Sequence, residues 1–150
     1  MYVSQKSQYA LRAFFELAKR RGLGPATAAE VAKAQAIPPR FLELILQGLR
    51  STGYVESRRG AKGGYVLAAA PETVTVGSIL RSVDGPLGPV KCVEEKGEEH
   101  CPLKGNCAFM GLWTRVQAAI EQVYDTTTLQ DLIDDERAAV EDTGDADFCI

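Results

Sequence analysis

The sequence has 150 residues, 45% of them hydrophobic and 25% charged, which is the composition of an ordinary globular protein. No apolar run is long enough to cross a bilayer, and the N-terminus lacks the basic start and apolar stretch of a secretory signal. These features argue against a membrane or secreted protein, so we expect a cytoplasmic one. In that compartment the four cysteines favour thiolate, metal or redox chemistry over structural disulfides.

The net charge of −3 hides two halves of opposite sign. Residues 1–67 contain 11 Lys and Arg against 4 Asp and Glu, whereas residues 68–150 contain 6 against 16. A basic surface attracts phosphates and an acidic one repels them. We therefore expect any nucleic-acid contacts in the first half of the chain.

Two helices are predicted at the start of the chain. Apolar residues at helical spacing predict the first over residues 5–20. Thr27, followed three residues later by Glu30, is a capping-box pattern. This pattern predicts a short second helix over residues 28–35.

A third helix is predicted from Pro38 to about Ser51, with Gly53 as its C-terminal stop, since proline is tolerated in a first turn and glycine ends helices. Its spacing gives one buried apolar face. The predicted members of that face are Phe41, Leu42, Ile45, Leu46 and Leu49.

Two short strands are predicted next, around residues 54–58 and 64–68. Between them lies Arg-Gly-Ala-Lys-Gly at 59–63, which is typical of a hairpin tip. Helix, short helix, turn, helix and basic hairpin follow the order of a winged helix-turn-helix. The predicted fold class is therefore mainly α with a small β wing, with the third helix entering the major groove of DNA.

Three more helices are predicted over residues 73–83, 107–124 and 128–141, with an irregular stretch at 90–106. The long middle helix has a wide apolar stripe, which predicts that it packs against a partner helix. The members of this stripe are Phe109, Leu112, Trp113, Val116, Ile120 and Val123.

Several short sequences occur together in a specific order: 6–12, 41–43, 49–55, the wing at 58–65, 76–80 and 127–132. On the basis of these short sequences, the chain over about residues 1–140 resembles the Rrf2 (Rrf-two) family of winged-helix regulators. This family has IscR-like, NsrR-like and CymR-like branches. The resemblance implies a transcriptional regulator that binds partly palindromic promoter DNA as a homodimer joined through the long helices. It also suggests three parts: a DNA-binding domain (1–83), a cysteine-containing sensor loop (84–106) and a dimerisation helix with a C-terminal tail (107–150).

Seven side chains are predicted to contact DNA. Arg40, Glu43, Gln47 and Arg50 lie off the apolar stripe of the third helix, and Arg58, Arg59 and Lys62 lie on the wing. Arginine can fork onto guanine, and glutamate can accept a hydrogen bond from cytosine N4. The resemblance points to Arg40 and Glu43 as base-reading residues and places Arg59 in the minor groove.

Cys92, Cys101 and Cys107 have the spacing C-x8-C-x5-C, which alone matches neither a zinc knuckle nor a ferredoxin motif. Cluster-binding members of the resembled family have three cysteines in this loop. The resemblance therefore implies that these thiolates hold an iron–sulfur cluster, either 2Fe–2S or 4Fe–4S, through which the protein senses iron–sulfur or redox status.

The fourth cluster ligand is not identified by the sequence. The family positions that supply a histidine or a carboxylate hold Met110 and Gln8 here. His100 lies beside Cys101 but off the family position, and Cys149 lies outside the triad. Other donors in the loop, expected to be solvated, are Glu94, Glu95, Glu98 and Glu99.

Cluster-free alternatives stay open. CymR-like regulators lack the three cysteines and respond through a protein partner, and the aromatic-plus-isoleucine tail at 147–150 is similar to that branch. Cys101 and Cys107 could instead form a thiol–disulfide switch, or zinc could play a structural role. An enzyme is not expected, because the sequence has no catalytic pattern and only one histidine.

Overall fold

The computed structural model describes residues 3–94 and 101–145 and confirms the predicted class, mainly α with a small β wing. No helix within these two stretches has both the length and the apolar character needed to cross a membrane. The helices are α1 (Gln5–Lys19), α2 (Ala28–Ala34), α3 (Pro39–Leu49), α4 (Val76–Asp84), α5 (Met110–Thr126) and α6 (Leu129–Asp145). The strands are β1 (Val55–Arg58) and β2 (Gly64–Leu67).

Local sequence signals set the bounds of the helix-turn-helix. The predicted capping box is present: the Thr27 hydroxyl accepts from the Glu30 N–H at 3.2 Å, and the Glu30 carboxylate accepts from the Thr27 N–H at 2.7 Å. Such a cap contributes on the order of 1 kcal/mol. Helix α3 begins with Pro39, continues into a short 3-10 turn, and ends at Gly53, whose φ of +77° is left-handed.

The wing is fixed to the helix-turn-helix by backbone hydrogen bonds. Strand β1 pairs antiparallel with β2, and Arg58 lies opposite Gly64 next to the tip. On the other edge of β2, the Tyr65 N–H donates to the Ala26 carbonyl at 2.8 Å, and the Ala26 N–H donates to the Tyr65 carbonyl at 3.0 Å. Because Ala26 directly precedes the start of the helix-turn-helix, these bonds define where the wing lies relative to α3.

The hydrophobic core joins both ends of the chain. Its fully buried large side chains include Phe14, Leu42, Leu46, Ile79 and Leu129. Each contributes about 1.5–3 kcal/mol by leaving water. The Leu129 N–H also donates to the Val74 carbonyl at 2.9 Å. The start of α6 thus packs into the core of the DNA-binding half, while the predicted division into 1–83, 84–106 and 107–150 stays a prediction.

The rear helices differ from the sequence prediction at their ends. Helix α4 begins at Val76 rather than 73, because the Thr75 hydroxyl caps it by accepting from the Ser78 N–H at 3.1 Å. Helix α5 begins at Met110 rather than 107, because hydrogen-bonded turns occupy the residues before it. Cys107 therefore precedes the helix. Helix α6 extends to Asp145, four residues beyond the prediction.

A bidentate ion pair joins α4 to α5. Arg81 donates to both carboxylate oxygens of Asp125, at 2.6 and 2.8 Å, and this hydrogen bonding holds the pKa of Asp125 below its ordinary value. Gly77 of α4 lies directly beneath the pair, and a Cβ there would collide with the Asp125 carboxylate. Glycine at this position lets the two helices approach closely.

Candidate nucleic-acid interface and cysteine segment

One face of α3 is polar and exposed, because the opposite face is buried through Leu42, Ile45, Leu46 and Leu49. Four residues predicted to contact DNA are exposed on α3 and at the start of the 3-10 turn that follows it: Arg40, Glu43, Gln47 and Arg50. Their spacing of three or four residues aligns them along one side of the helix. The strip is roughly 15 Å long at the helical rise of 1.5 Å per residue. The structure thus brings these four side chains together as a recognition strip.

The predicted burial of Phe41 is wrong. The residue is 58% exposed, and its ring packs against that of Tyr9 in α1 at a centroid distance of 6.2 Å. Position 41 lies at the edge of the apolar stripe, where α1 covers only part of the ring. Leu44, which the sequence analysis did not single out, is 69% exposed on the same helix. Because apolar side chains contact thymine methyl groups, Leu44 is a further candidate for base contact.

The hairpin tip presents cations on a glycine-containing turn. Arg58, Arg59 and Lys62 are all exposed. Gly60 has a φ of +110°, a conformation that side-chain-bearing residues rarely adopt. The backbone at the tip is therefore narrow enough to approach a groove closely, with Arg59 and Lys62 on either side of the turn.

Arg58 lies on a different side of the wing from the recognition strip. Side chains alternate along a strand, so Arg58 is on the opposite face from the buried Val55. It lines a cavity behind the wing together with Arg20 and Arg21 from the end of α1. The structure therefore places Arg58 at this cavity rather than at the groove that Gln47 and Arg50 line.

A groove of about 460 Å³ lies between the end of α3 and β1. Gln47 and Arg50 line it from the helix side, and Ser57 lines it from the strand side. Serine hydroxyls are common donors to phosphate oxygens. Ser57 was not predicted from the sequence. The alternation of side chains along β1 could have identified it, because Ser57 must lie on the opposite face of the strand from Arg58.

The cations of the interface are free of carboxylate partners within residues 3–94 and 101–145. Ion pairs there involve other cations, such as Lys19 with Glu136 at 2.6 Å and Arg20 with Glu16 at 2.6 Å. Cations without partners can neutralise phosphates without first breaking an ion pair. The residues of this set are Arg40, Arg50, Arg58, Arg59 and Lys62.

The start of the cysteine segment is anchored to α1. Asp84, the last residue of α4, accepts hydrogen bonds from the Ser7 hydroxyl at 2.7 Å and the Ser4 hydroxyl at 2.8 Å. Burial raises the pKa of Asp84, but these hydrogen bonds outweigh that effect and hold the pKa below its ordinary value. Gly85 follows with a φ of +85°, and this conformation ends α4.

The three predicted cluster ligands are free thiols that are neither buried nor fully exposed. Cys92 lies in a 3-10 turn after α4, and Cys101 and Cys107 lie in the turns before α5. Three soft thiolates in one segment fit the donor chemistry of an iron–sulfur cluster. In the part of the chain that the structure describes, however, no three His, Cys, Asp or Glu side chains are close enough together to hold a metal ion.

The other ligand candidates divide into two groups. Gln8 is exposed on α1, where its side-chain amide donates to the Val3 carbonyl at 3.0 Å, and Met110 is the first residue of α5. Glu94 directly follows the turn that contains Cys92. The remaining candidates fall outside the described residues; they are Glu95, Glu98, Glu99, His100 and Cys149.

Helix α5 has no buried residue along its 17 positions. Phe109, which flanks its start, and Val123 are about 60% exposed, and Leu112 is 43% exposed. An apolar stripe this long costs free energy in water unless another surface covers it. This exposure agrees with the predicted partner helix.

A sequence profile described as "Rrf2: Iron-dependent Transcriptional regulator" matches residues 3–135. The chain is 40% identical over 132 residues to the HTH-type transcriptional regulator CymR of Bacillus subtilis, covering 88% of this chain and 89% of that one. Its named relatives are transcriptional regulators rather than enzymes.

Solved structures agree with this similarity. CymR, described as the global cysteine regulator of B. subtilis, superposes with a TM-score of 0.72 at 38% identity, covering 88% of this chain and 95% of that one. The T. potens IscR structure superposes with a TM-score of 0.73 at 34% identity, covering 93% and 90%. The chain therefore belongs to the Rrf2 family of winged helix-turn-helix transcriptional regulators.

Proposed function

We propose that this regulator acts in the cytoplasm as a homodimer on promoter DNA, with α3 in the major groove and the wing tip in the adjacent minor groove. The observation that carries the proposal is the recognition strip, in which exposed polar side chains stand beside cations that have no carboxylate partner among the described residues. In this arrangement the duplex contacts both the strip and the wing tip, as in other winged-helix complexes.

Each predicted contact has a distinct role in this proposal. Arg40 forks onto a guanine edge and Glu43 accepts from cytosine N4, while Gln47 reads a base edge further along α3. Arg50 and Lys62 bind phosphates, and Arg59 enters the minor groove. Arg58 adds positive charge behind the wing.

The homodimer forms through α5 in this proposal. Two copies of α5 related by a two-fold axis would cover each other's apolar stripe, and the same axis would present two copies of α3 to the two halves of a palindrome. The exposed apolar positions of α5 in the single chain, such as Leu112 and Val123, support this arrangement.

The sensor is an iron–sulfur cluster held by Cys92, Cys101 and Cys107. The thiol donor set and the structural similarity to a protein named IscR support it. When bound, such a cluster supplies redox and ligand-sensitive chemistry. The three thiols lie in the segment between the anchored Asp84 and the start of α5. A change in their arrangement can therefore shift both the DNA-binding half and the dimer helix.

A second candidate is a cluster-free regulator controlled by a partner protein or by a thiol switch at Cys101 and Cys107. The 40% identity to CymR favours it. The three thiols are partly exposed, so oxidants and protein partners can reach them.

DNA binding is tested with Arg59→Ala, and Arg137→Ala of α6 serves as the matched control. Fluorescence anisotropy with the upstream region of the protein's own gene, over a series of salt concentrations, gives affinity and salt slope. We expect Arg59→Ala to weaken binding and to reduce the slope by about one. Unchanged affinity and slope for Arg59→Ala, or equal losses for the control, would refute the wing contact.

The sensor is tested on anaerobically purified protein. Iron and sulfide analysis with an absorption spectrum should detect the cluster in the native chain and its loss in Cys107→Ser, with DNA binding measured on both. Colourless protein without iron or sulfide after reconstitution refutes the cluster. A Cys101–Cys107 disulfide or a co-purified enzyme would then support the second candidate.

A further inference from the structure

We propose that the cavity between the wing and the C-terminal end of α1 binds a phosphate group through Arg20, Arg21 and Arg58. The cavity has a volume of about 330 Å³. It lies behind the wing, away from the recognition strip. It is therefore a site distinct from the α3 and tip contacts of the proposed function.

The three arginines reach the cavity from two separate parts of the chain. Arg20 and Arg21 follow α1, and Arg58 ends β1. Leu17 and Leu67, both buried in the core, contribute apolar lining, and Tyr65 adds an aromatic ring. An apolar base with a cationic rim suits an anionic group that carries an organic portion.

The three arginines differ in how closely a carboxylate compensates each of them. Arg20 is compensated by the Glu16 carboxylate at 2.6 Å. Arg21 reaches a carboxylate only at 4.0 Å, and both of those side chains are at least half exposed. Arg58 has no ion-pair partner among the described residues, and one carboxylate, Glu56, lines the cavity with the three guanidinium groups. Arg21 and Arg58 therefore keep positive charge that a bound anion can compensate more closely than the carboxylates do.

Phosphate is the ligand chemistry that fits best. The guanidinium group is planar and donates two parallel hydrogen bonds, a geometry that matches phosphate oxygens. Arg58 directly precedes Arg59, and a phosphate shared by Arg58 and Arg21 would tie the wing to the end of α1. A phosphate group can come from the DNA backbone beyond the wing or from a free phosphorylated small molecule, and both present the same oxygens to the cavity.

The first experiment is a titration of the full-length protein with inorganic phosphate. Chloride is exchanged for phosphate at constant ionic strength, and the side-chain N–H signals of the arginines are followed by NMR. We expect the Arg21 and Arg58 signals to move saturably, while the Arg137 signal stays fixed. Arg21→Ala should abolish the Arg58 response; since Arg21 makes only the long contact with Glu72, this variant should fold normally.

The second experiment measures the salt slope of DNA binding for Arg21→Ala and for the Arg137→Ala control. If the DNA backbone supplies the phosphate, Arg21→Ala lowers the slope by about one and the control does not. Saturable phosphate binding without a slope change assigns the cavity to a free phosphorylated ligand. If phosphate does not bind saturably and the salt slope does not change, the inference is overturned. If phosphate binds saturably but the protein does not bind DNA, only the proposed function is refuted.

Discussion

At Gly64, the first residue of β2, the wing has no room for a side chain. The φ of Gly64 is +154°, and a Cβ built there would collide with the Ala26 carbonyl oxygen and lie 2.6 Å from the Ala26 carbonyl carbon. Both contacts are with backbone, which cannot rotate away. The Gly64→Ala variant must therefore disturb the Ala26–Tyr65 hydrogen bonds that fix the wing.

Gly60 provides the matched control, because it also has a positive φ, +110°, but a Cβ there meets nothing within 4 Å. The unfavourable backbone conformation costs about 1–3 kcal/mol in either alanine variant. The collision adds about 1–3 kcal/mol in Gly64→Ala alone. We therefore expect Gly64→Ala to lose about 2–6 kcal/mol of unfolding free energy and to be the less stable of the two.

Denaturant unfolding followed by circular dichroism measures this difference, at one fixed protein concentration because the proposed dimer links stability to concentration. DNA affinity should fall in parallel, since the wing is displaced from α3. If Gly64→Ala and Gly60→Ala unfold at the same denaturant concentration, the close packing of β2 on Ala26 does not limit the wing, and the reasoning fails.

Three further predictions concern other parts of the molecule. Arg40→Ala should cost about 1–3 kcal/mol on the native operator and relax specificity at one base pair, and a uniform loss across all single-base operator variants would instead make Arg40 a phosphate contact. Because the pKa of Asp84 is lower in the folded chain than its ordinary value of 3.8, its contribution to stability is full above that value and disappears as the pH falls through the folded-state pKa. The stability lost in Ser7→Ala should therefore shrink on acidification, and a loss equal at neutral and acid pH contradicts this role for the hydrogen bond. Asp125→Asn should lower the unfolding free energy by at most about 1 kcal/mol, because the pair with Arg81 is more than a third exposed and screened by solvent. Denaturant unfolding measures this loss, with Asp134→Asn as the control. A loss above about 2 kcal/mol would show that the pair contributes more than a surface pair does.

Local sequence rules were sufficient for much of the fold. The capping box at Thr27 and Glu30 involves residues three apart, and the glycine at position 53 ends its helix through its own backbone conformation. Signals of this range do not depend on the rest of the chain. The helix-turn-helix and the hairpin were predictable for that reason.

Features that depend on distant residues were not predictable in the same way. The exposure of Phe41 is set by how far α1 covers the edge of α3, and the surroundings of Arg58 are set by α1 residues more than thirty positions earlier. The cysteines were predicted as cluster ligands from their type and from the family resemblance, because their spacing alone matches no ligand motif. Their arrangement was not, because the described residues do not gather them into a metal site.

The chain leaves and rejoins the DNA-binding core at the two ends of one short helix. It departs after Asp84, at the C-terminal end of α4, and returns where the Val76 N–H donates to the Thr127 carbonyl at 2.9 Å, at the N-terminal end of α4. Residues 85–126 therefore form a segment that connects the two ends of α4, so its own two ends lie close together on the DNA-binding core. Changes in its length or composition need not alter the path of the chain through the core. The DNA-binding core can therefore keep its fold when the residues between α4 and α5 change.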